Sequence, residues 1–236
     1  MIDHVFERRL VVGGLTQSGG IVKGMWERAL REFKIQSFGN AQDESSKFKV
    51  NNMLILGLGA GTAVEVINKK FPDAKIVGVE IDSTIIDVGK KYFQLSETKN
   101  LTVIIEDAIR YVDTFSHPEF ISGSQKMLKR VQHDSREFDL ILVDLYKGFL
   151  IEKEIINDTV LQNIASKLSK NGVVIFNVLA ARNGDFEASD LLDKLHRIFN
   201  DNFCKRIISN DFLFCKNPIT KGGDLSMAKK RKKRRK

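Results

Sequence analysis

Met53-Leu54-Ile55-Leu56-Gly57-Leu58-Gly59-Ala60-Gly61-Thr62 is an apolar run that breaks into alternating glycines. That pattern predicts a buried strand entering a tight turn before a helix. Ala63, Val64, Val66 and Ile67 follow at helical spacing. A second apolar run, Ile76-Val77-Gly78-Val79-Glu80, ends in an acid nineteen residues after Gly61. One helix and one further strand take up that distance. In such a unit the glycines let the backbone approach a nucleotide with no Cβ in the way, and the carboxylate at the second strand's end accepts both ribose hydroxyls. Glu80 is the expected ribose ligand.

The rest of the chain repeats the alternation. Ser83 is the expected cap of a helix with Ile85, Ile86, Val88, Tyr92 and Phe93 on its buried side. Residues 101–105 read as a strand, followed by Glu106-Asp107-Ala108 and a short helix through Ile109, Tyr111, Val112 and Phe115. Residues 138–143 form a strand ending in Asp144, and residues 158–168 a helix that Asn171-Gly172 separates from a strand over 173–178. A helix over 187–199 precedes two closing antiparallel strands, 203–208 and 212–215, turning around Asn210-Asp211. Strands alternating with helices imply a mainly parallel α/β sheet covered on both faces.

Upstream, residues 5–12 alternate as a strand, residues 13–20 read as a flexible turn, residues 22–33 as a helix carrying Trp26, and residues 40–49 as a polar linker. Residues 117–136 break the rhythm where a few loop residues would suffice. They read as an inserted surface loop, similar to short translated repeat elements scattered through some bacterial genomes, with a lid or partner-binding loop as the functional alternative. The expected organisation is an N-terminal strand and helix extension (1–50), a nucleotide-binding domain (51–217) and a basic tail (218–236).

Charge is concentrated at one end. Lys229, Lys230, Arg231, Lys232, Lys233, Arg234, Arg235 and Lys236 follow one another, and without them the 38 basic residues fall to 30 and match the 30 acidic ones. The body is neutral, so the net +8 reports the tail. Like charges with nothing apolar to bury do not fold alone. The tail reads either as an arm for RNA or another polyanion or as a solvated segment. No apolar run reaches the length of a membrane span and residues 1–9 lack a signal-peptide core, which implies a cytoplasmic protein with no membrane partner. Cys204 and Cys215 read as buried thiols, and His4, His117, His133 and His196 lie singly, so no metal is expected. Met25, Trp26 and Phe33 share one helix and read either as core or as a homodimer interface.

A nicotinamide site and an S-adenosylmethionine site both use glycines and a strand-end acid. Spacing separates them: Gly57, Gly59 and Gly61 form G-x-G-x-G, whereas the dinucleotide fingerprint puts its third small residue where Thr62 stands. Asp107, after the third strand, is placed to accept an adenine amino group and also to cap the following helix. With Asp144 after the fourth, successive strands present polar or glycine groups at one carboxyl edge.

Residues 54–62, Val79-Glu80-Ile81-Asp82, Glu106-Asp107-Ala108 and Phe138-Asp139-Leu140-Ile141-Leu142-Val143-Asp144-Leu145-Tyr146 resemble the successive motifs of the spermidine synthase-like branch of class I S-adenosylmethionine-dependent methyltransferases. Gly14-Leu15-Thr16-Gln17 is similar to that branch's nucleoside-contacting turn. The resemblance covers roughly residues 5–180 apart from the insertion. It implies a Rossmann-like, doubly wound, mostly parallel seven-stranded sheet. It also implies a cofactor pocket lined by Gln17, Gly57, Gly59, Gly61, Glu80, Ile81, Asp107 and Ala108, with Asp144 where aminopropyltransferases keep the acid that deprotonates the attacking amine. Tyr146 is a candidate orienting hydroxyl.

Three departures separate the chain from true aminopropyltransferases. Ala60 stands where they carry an aspartate, Leu145-Tyr146-Lys147-Gly148 replaces an Asp-Pro-containing loop, and the Tyr-His-Glu element near the N-terminus is missing. A carboxylate at position 60 would favour decarboxylated S-adenosylmethionine, which has a cationic amine and no carboxylate, over the intact cofactor. The first expectation is therefore a small-molecule methyltransferase using S-adenosyl-L-methionine. The alternatives are an aminopropyltransferase of polyamine biosynthesis that makes spermidine from putrescine and decarboxylated S-adenosylmethionine, and a non-catalytic cofactor-binding or RNA-associated protein.

Overall fold

The computed structural model describes residues 8–12, 14–38, 49–114, 137–147, 150–151, 153–179 and 186–219. The expectations for residues 117–136, for the basic tail, and for His4, His117 and His133 lie outside them. A hairpin of β1 (Leu10–Val12) and β2 (Leu15–Ser18) leads into α1 (Gly20–Phe38). Then come β3 (Asn52–Leu56), α2 (Thr62–Lys70), β4 (Lys75–Glu80), α3 (Ser83–Tyr92), β5 (Leu101–Ile105) and α4 (Ala108–Thr114). The second half holds β6 (Phe138–Val143), the two-residue strands β7 (Tyr146–Lys147) and β8 (Leu150–Ile151), α5 (Asp158–Ser166), β9 (Leu168–Leu179), α6 (Phe186–Ile198), β10 (Phe199–Ile207) and β11 (Asn210–Pro218).

Seven strands form the central sheet in the order β10-β11-β9-β6-β3-β4-β5. The four pairings from β9 to β5 are parallel, and β11 runs antiparallel to both neighbours. Strand β3 is buried from Met53 to Leu56 because helices cover both faces, which is why it is apolar without alternation. Its side chains still alternate in destination. Leu54 and Leu56 pack with Val112 of α4, Ile164 of α5 and Leu195 of α6, whereas Met53 and Ile55 pack with Leu30 of α1, Ile67 of α2 and Ile86 of α3. Among the described residues three helices therefore cover each face, the doubly wound arrangement of the class I methyltransferase fold.

Met25, Trp26 and Phe33 are buried in the layer of α1 and α2, and Trp26 meets Phe212 of β11 edge to face at 5.3 Å. Of the two readings of these residues, core packing is the one observed. A buried aromatic pair of this kind adds about 0.5–1.5 kcal/mol beyond its burial.

Several local expectations shift. Asp82, not Ser83, caps α3, its carboxylate accepting from Thr84 N at 2.8 Å, and Tyr92 is exposed because α3 buries only a narrow stripe around Ile86 and Gly89. Residues 15–18 are a strand, not part of a flexible turn. Helix α5 ends at Ser166, and Asn171-Gly172 lies inside β9, where the pairing with β6 slips between Phe138 and Leu140. The final hairpin turns at Ile208-Ser209, with Ile208 at φ 59, while Asn210 and Asp211 are buried in β11. Cys215 is buried, but Cys204 is exposed on edge strand β10.

Truncating Phe212 removes a fully buried ring, whereas Phe203 stacks on Phe214 from a partly buried position. Phe212→Ala is expected to cost about 3–5 kcal/mol in urea unfolding, and Phe203→Ala about 1 kcal/mol. Equal losses would contradict this account of the core.

Candidate active site

Strand register brings the sequence motifs to one edge. Leu56 pairs with both Val79 and Val143, and Glu80 pairs with Ile105. The next residues, Gly57, Ile81, Glu106 and Asp144, therefore leave the sheet side by side. Main-chain bonds fix the exits: Gly57 N and Leu58 N donate to Val79 O, Glu106 N to Glu80 O, and Asp144 N to Leu56 O, at 2.8–3.1 Å. This is the carboxyl edge of the parallel strands, where open α/β sheets bind ligands.

The glycine turn needs its glycines for two separate reasons. Gly57 has φ 87, and a Cβ there would overlap the Asp144 carbonyl. Gly61 has φ 96, and a Cβ would strike the side chain of Leu95. Both need the left-handed backbone and the missing side chain. Glu80 ties the turn to the next loop: Oε2 accepts from Gly59 N at 2.8 Å and Oε1 from Asp82 N at 3.1 Å. Each carboxylate oxygen keeps a further lone pair, so the group can hold the turn and still accept a diol.

Ile81 is 66% exposed and Ile105 is 38% exposed, placing apolar surface after β4 and at the end of β5. Ile81 belongs to the motif after β4, whereas nothing in the sequence sets Ile105 apart from other strand residues. Asp107 Oδ1 accepts from Ile109 N and Arg110 N, each at 2.9 Å, so the expected cap is present, and Ala108 beside it is buried. Gln17 is exposed on β2. Two residues on, Gly19 N donates to Thr62 Oγ1 at 2.9 Å, which docks the hairpin on the glycine turn.

Asp144 and Tyr146 lie in a polar cluster set into the apolar layers. Asn177 Nδ2 of β9 donates to Asp144 Oδ1 at 2.8 Å, and the Trp26 side chain lies near enough to this carboxylate to favour its charged form. The Tyr146 hydroxyl donates to the Asn177 carbonyl at 2.8 Å, so its proton is committed to the main chain. Asn177, Asn210 and the polar role of Trp26 had no signal in the sequence beyond being polar groups in strands or an aromatic in a helix.

Asp144 keeps partial solvent contact, yet its carboxyl is pushed up to about 6, chiefly by desolvation. The Glu80 charge acts in the same direction, and the bond from Asn177 and the nearby Trp26 side chain oppose it. Burial, reinforced by the Asp144 charge, holds the Tyr146 phenol well above its usual value. Among the described residues, no three His, Cys, Asp or Glu side chains converge as a metal-binding group. No helix among them is long and apolar enough to cross a membrane.

The raised carboxyl has a signed consequence for stability. Between about pH 4 and pH 6 the folded chain holds a proton on Asp144 that the unfolded chain has released, so this group removes stability as pH rises through that window and stays unfavourable above it. Asp144→Asn is expected to exceed the parent chain by on the order of 1–2 kcal/mol at pH 8, after allowance for solvent screening, with the gap closing by pH 4. Urea melts across pH 4–8 measure it, and a gap independent of pH would contradict the shift.

Residues 35–201 match the model of the spermine/spermidine synthase domain. The eEF1A lysine and N-terminal methyltransferase homolog of Drosophila melanogaster is 25% identical over 169 residues, covering 70% of this chain and 23% of that protein. A probable polyamine aminopropyl transferase of Bifidobacterium longum is 27% identical over 182 residues, covering 75% of this chain and 36% of that one. The chain thus spans well under half the length of these relatives. Among solved structures, human methyltransferase-like protein 13 in complex with SAH superposes with a TM-score of 0.59 at 21% identity, covering 89% and 85% of the two chains. A probable spermidine synthase from Corynebacterium glutamicum superposes at 0.65 with 14% identity, covering 94% and 77%. Domain match, sheet order and carboxyl-edge motifs agree: the chain belongs to the spermine/spermidine synthase domain family, on the class I methyltransferase fold.

Proposed function

We propose that this chain is a cytoplasmic methyltransferase that binds intact S-adenosylmethionine across the ends of β3, β4 and β5 and methylates a small-molecule acceptor held near Asp144. The observation that carries this reading is the glycine turn pinned to Glu80 with a methyl group, not a carboxylate, at position 60. Glu80 is the ribose ligand, Ile81 and Ile105 flank the base, and Asp107 with Ala108 meets its edge. Gln17 closes over the nucleoside from the hairpin. The glycines Gly57, Gly59 and Gly61 leave room for the backbone to approach the cofactor. Ala60 offers no negative charge to repel the cofactor's carboxylate.

The bound sulfonium supplies an electrophilic methyl. The chain's own tasks are to align an acceptor in line with it and, where the acceptor carries a proton, to receive that proton. Asp144 fits the second task. At neutral pH a carboxyl near 6 is mostly ionised, and it is a stronger base than an ordinary aspartate. Tyr146 sits beside it, and with its proton engaged it offers an incoming donor only its oxygen lone pairs.

Two rivals have specific support. The Bifidobacterium longum relative favours aminopropyl transfer from decarboxylated S-adenosylmethionine to a diamine, a step of polyamine biosynthesis. The Drosophila relative, named as a lysine and N-terminal methyltransferase of eEF1A, favours a protein amine as acceptor over a small molecule. The basic tail adds an RNA or polyanion contact that recruits the enzyme and takes no part in catalysis.

Calorimetric titration distinguishes the donors. The intact cofactor is expected to bind more tightly than the decarboxylated form, and Glu80→Ala to weaken it by roughly 10- to 100-fold, the loss of a charge-assisted bond. Tighter binding of the decarboxylated form would transfer the assignment to aminopropyl transfer, and binding of neither would remove both. Deleting residues 229–236 is expected to abolish salt-sensitive RNA capture and leave cofactor affinity unchanged.

A further inference from the structure

Asp144 does not stand alone in its pocket. Behind it runs a line of three side chains, from β9, β11 and the turn before β11: Asn177 Nδ2 donates to Asp144 Oδ1 at 2.8 Å, Asn210 Nδ2 donates to Asn177 Oδ1 at 2.7 Å, and Ser209 Oγ donates to Asn210 Oδ1 at 3.0 Å. Asn177 and Asn210 are both buried, and Ser209 sits in the exposed turn of the last hairpin. Every link points its donor toward Asp144.

That common direction follows from charge. A carboxylate only accepts, so Asn177 must show it the amide nitrogen, which turns the Asn177 oxygen away. That oxygen requires a donor, so Asn210 must turn its own nitrogen inward, and the oxygen left over faces the Ser209 hydroxyl. A reversed line would set the Asn177 oxygen against a negative Asp144, an unfavourable contact in a partly desolvated site. The Asp144 charge thus decides which face each amide behind it turns toward the site.

We propose that Asn177 and Asn210 are positioning residues that form a directional relay from the Ser209 turn, holding Asp144 in one rotamer as an ionised proton acceptor. Asn177 acts on Asp144 directly and Asn210 acts through Asn177. The inference rests on the reading of Asp144 as the base and goes beyond it, since it gives the β10–β11 hairpin a part in the chemistry although its turn never meets a substrate. The other groups facing Asp144 are the Trp26 side chain of α1, the like charge of Glu80 at the end of β4, and Tyr146. Asp211, which faces Tyr146, is already paired with Arg206 of β10. None of these reverses the amide line.

The test is carboxyl carbon NMR of the full-length chain carrying labelled aspartate, with the Asp144 signal assigned by its loss in Asp144→Asn. Asn177→Ala is expected to raise the Asp144 midpoint by about 1 pH unit, and Asn210→Asp, which cannot donate when ionised, by a similar amount. Ser209→Ala changes only the exposed turn, so it keeps the proposal open to refutation if the buried variants do not fold. It is expected to move the midpoint in the same direction by a smaller step. An Asp144 midpoint unchanged in folded Asn210→Asp, or in Ser209→Ala where that variant alone folds, would overturn the relay. Cofactor titration of the same samples keeps the two readings apart. Failure of the parent chain to bind either cofactor form would defeat the transferase reading while leaving the NMR result standing on its own.

Discussion

The main-chain carbonyl of Asp144 occupies the space in which a side chain on residue 57 would stand, and the arrangement of the whole site depends on that close approach. Parallel pairing delivers Leu56 and Val143 to the same level, so the chain leaves β3 and β6 at adjacent points. The glycine turn then passes against the exit of β6 only because residue 57 has no Cβ and takes a positive φ. One contact thereby sets the distance between the turn that would receive a cofactor and the acid that would receive a proton.

The same edge carries a network of opposed electrostatic effects. Glu80 is held by two main-chain N–H groups, so its charge is met by fixed dipoles that cost nothing to reorganise. Asp144 is held by Asn177, which with the nearby Trp26 side chain lowers its carboxyl, while burial and Glu80 raise it further. Desolvation wins, and the outcome is a carboxylate that is ionised near neutrality and still basic. Such a polar group beside an apolar layer is tolerable because its partners are satisfied in turn, through Asn210 and Tyr146.

The fold also brings the N-terminal helix to this edge. Trp26 packs its ring against Phe212 and lies near Asp144, where it favours the charged form of that carboxyl. The hairpin before α1 docks through Gly19 on Thr62, at the first residue of α2. The glycine turn is thus braced from the N-terminal segment as well as from Glu80.

Periodicity and local chemistry were enough to read most of the elements. The strand–glycine–helix run at 53–62, the acid at Glu80, the cap at Asp107 and the acid at Asp144 are local in sequence, and local spacing dictates them. Where local signals competed, the sequence misled. Asn210-Asp211 has turn chemistry, yet pairing with β9 draws both residues into the sheet and forces the turn onto Ile208-Ser209. Tyr92 fits a helical apolar stripe, but α3 has too little surface above it to bury that ring. The sequence by itself determined the fold class and the motifs at the carboxyl edge. Only the tertiary structure decided that Asn177 meets Asp144, with Asn210 behind it and Trp26 nearby, because these residues lie 33 to more than 100 positions apart, and no local pattern records which buried amide will face which acid.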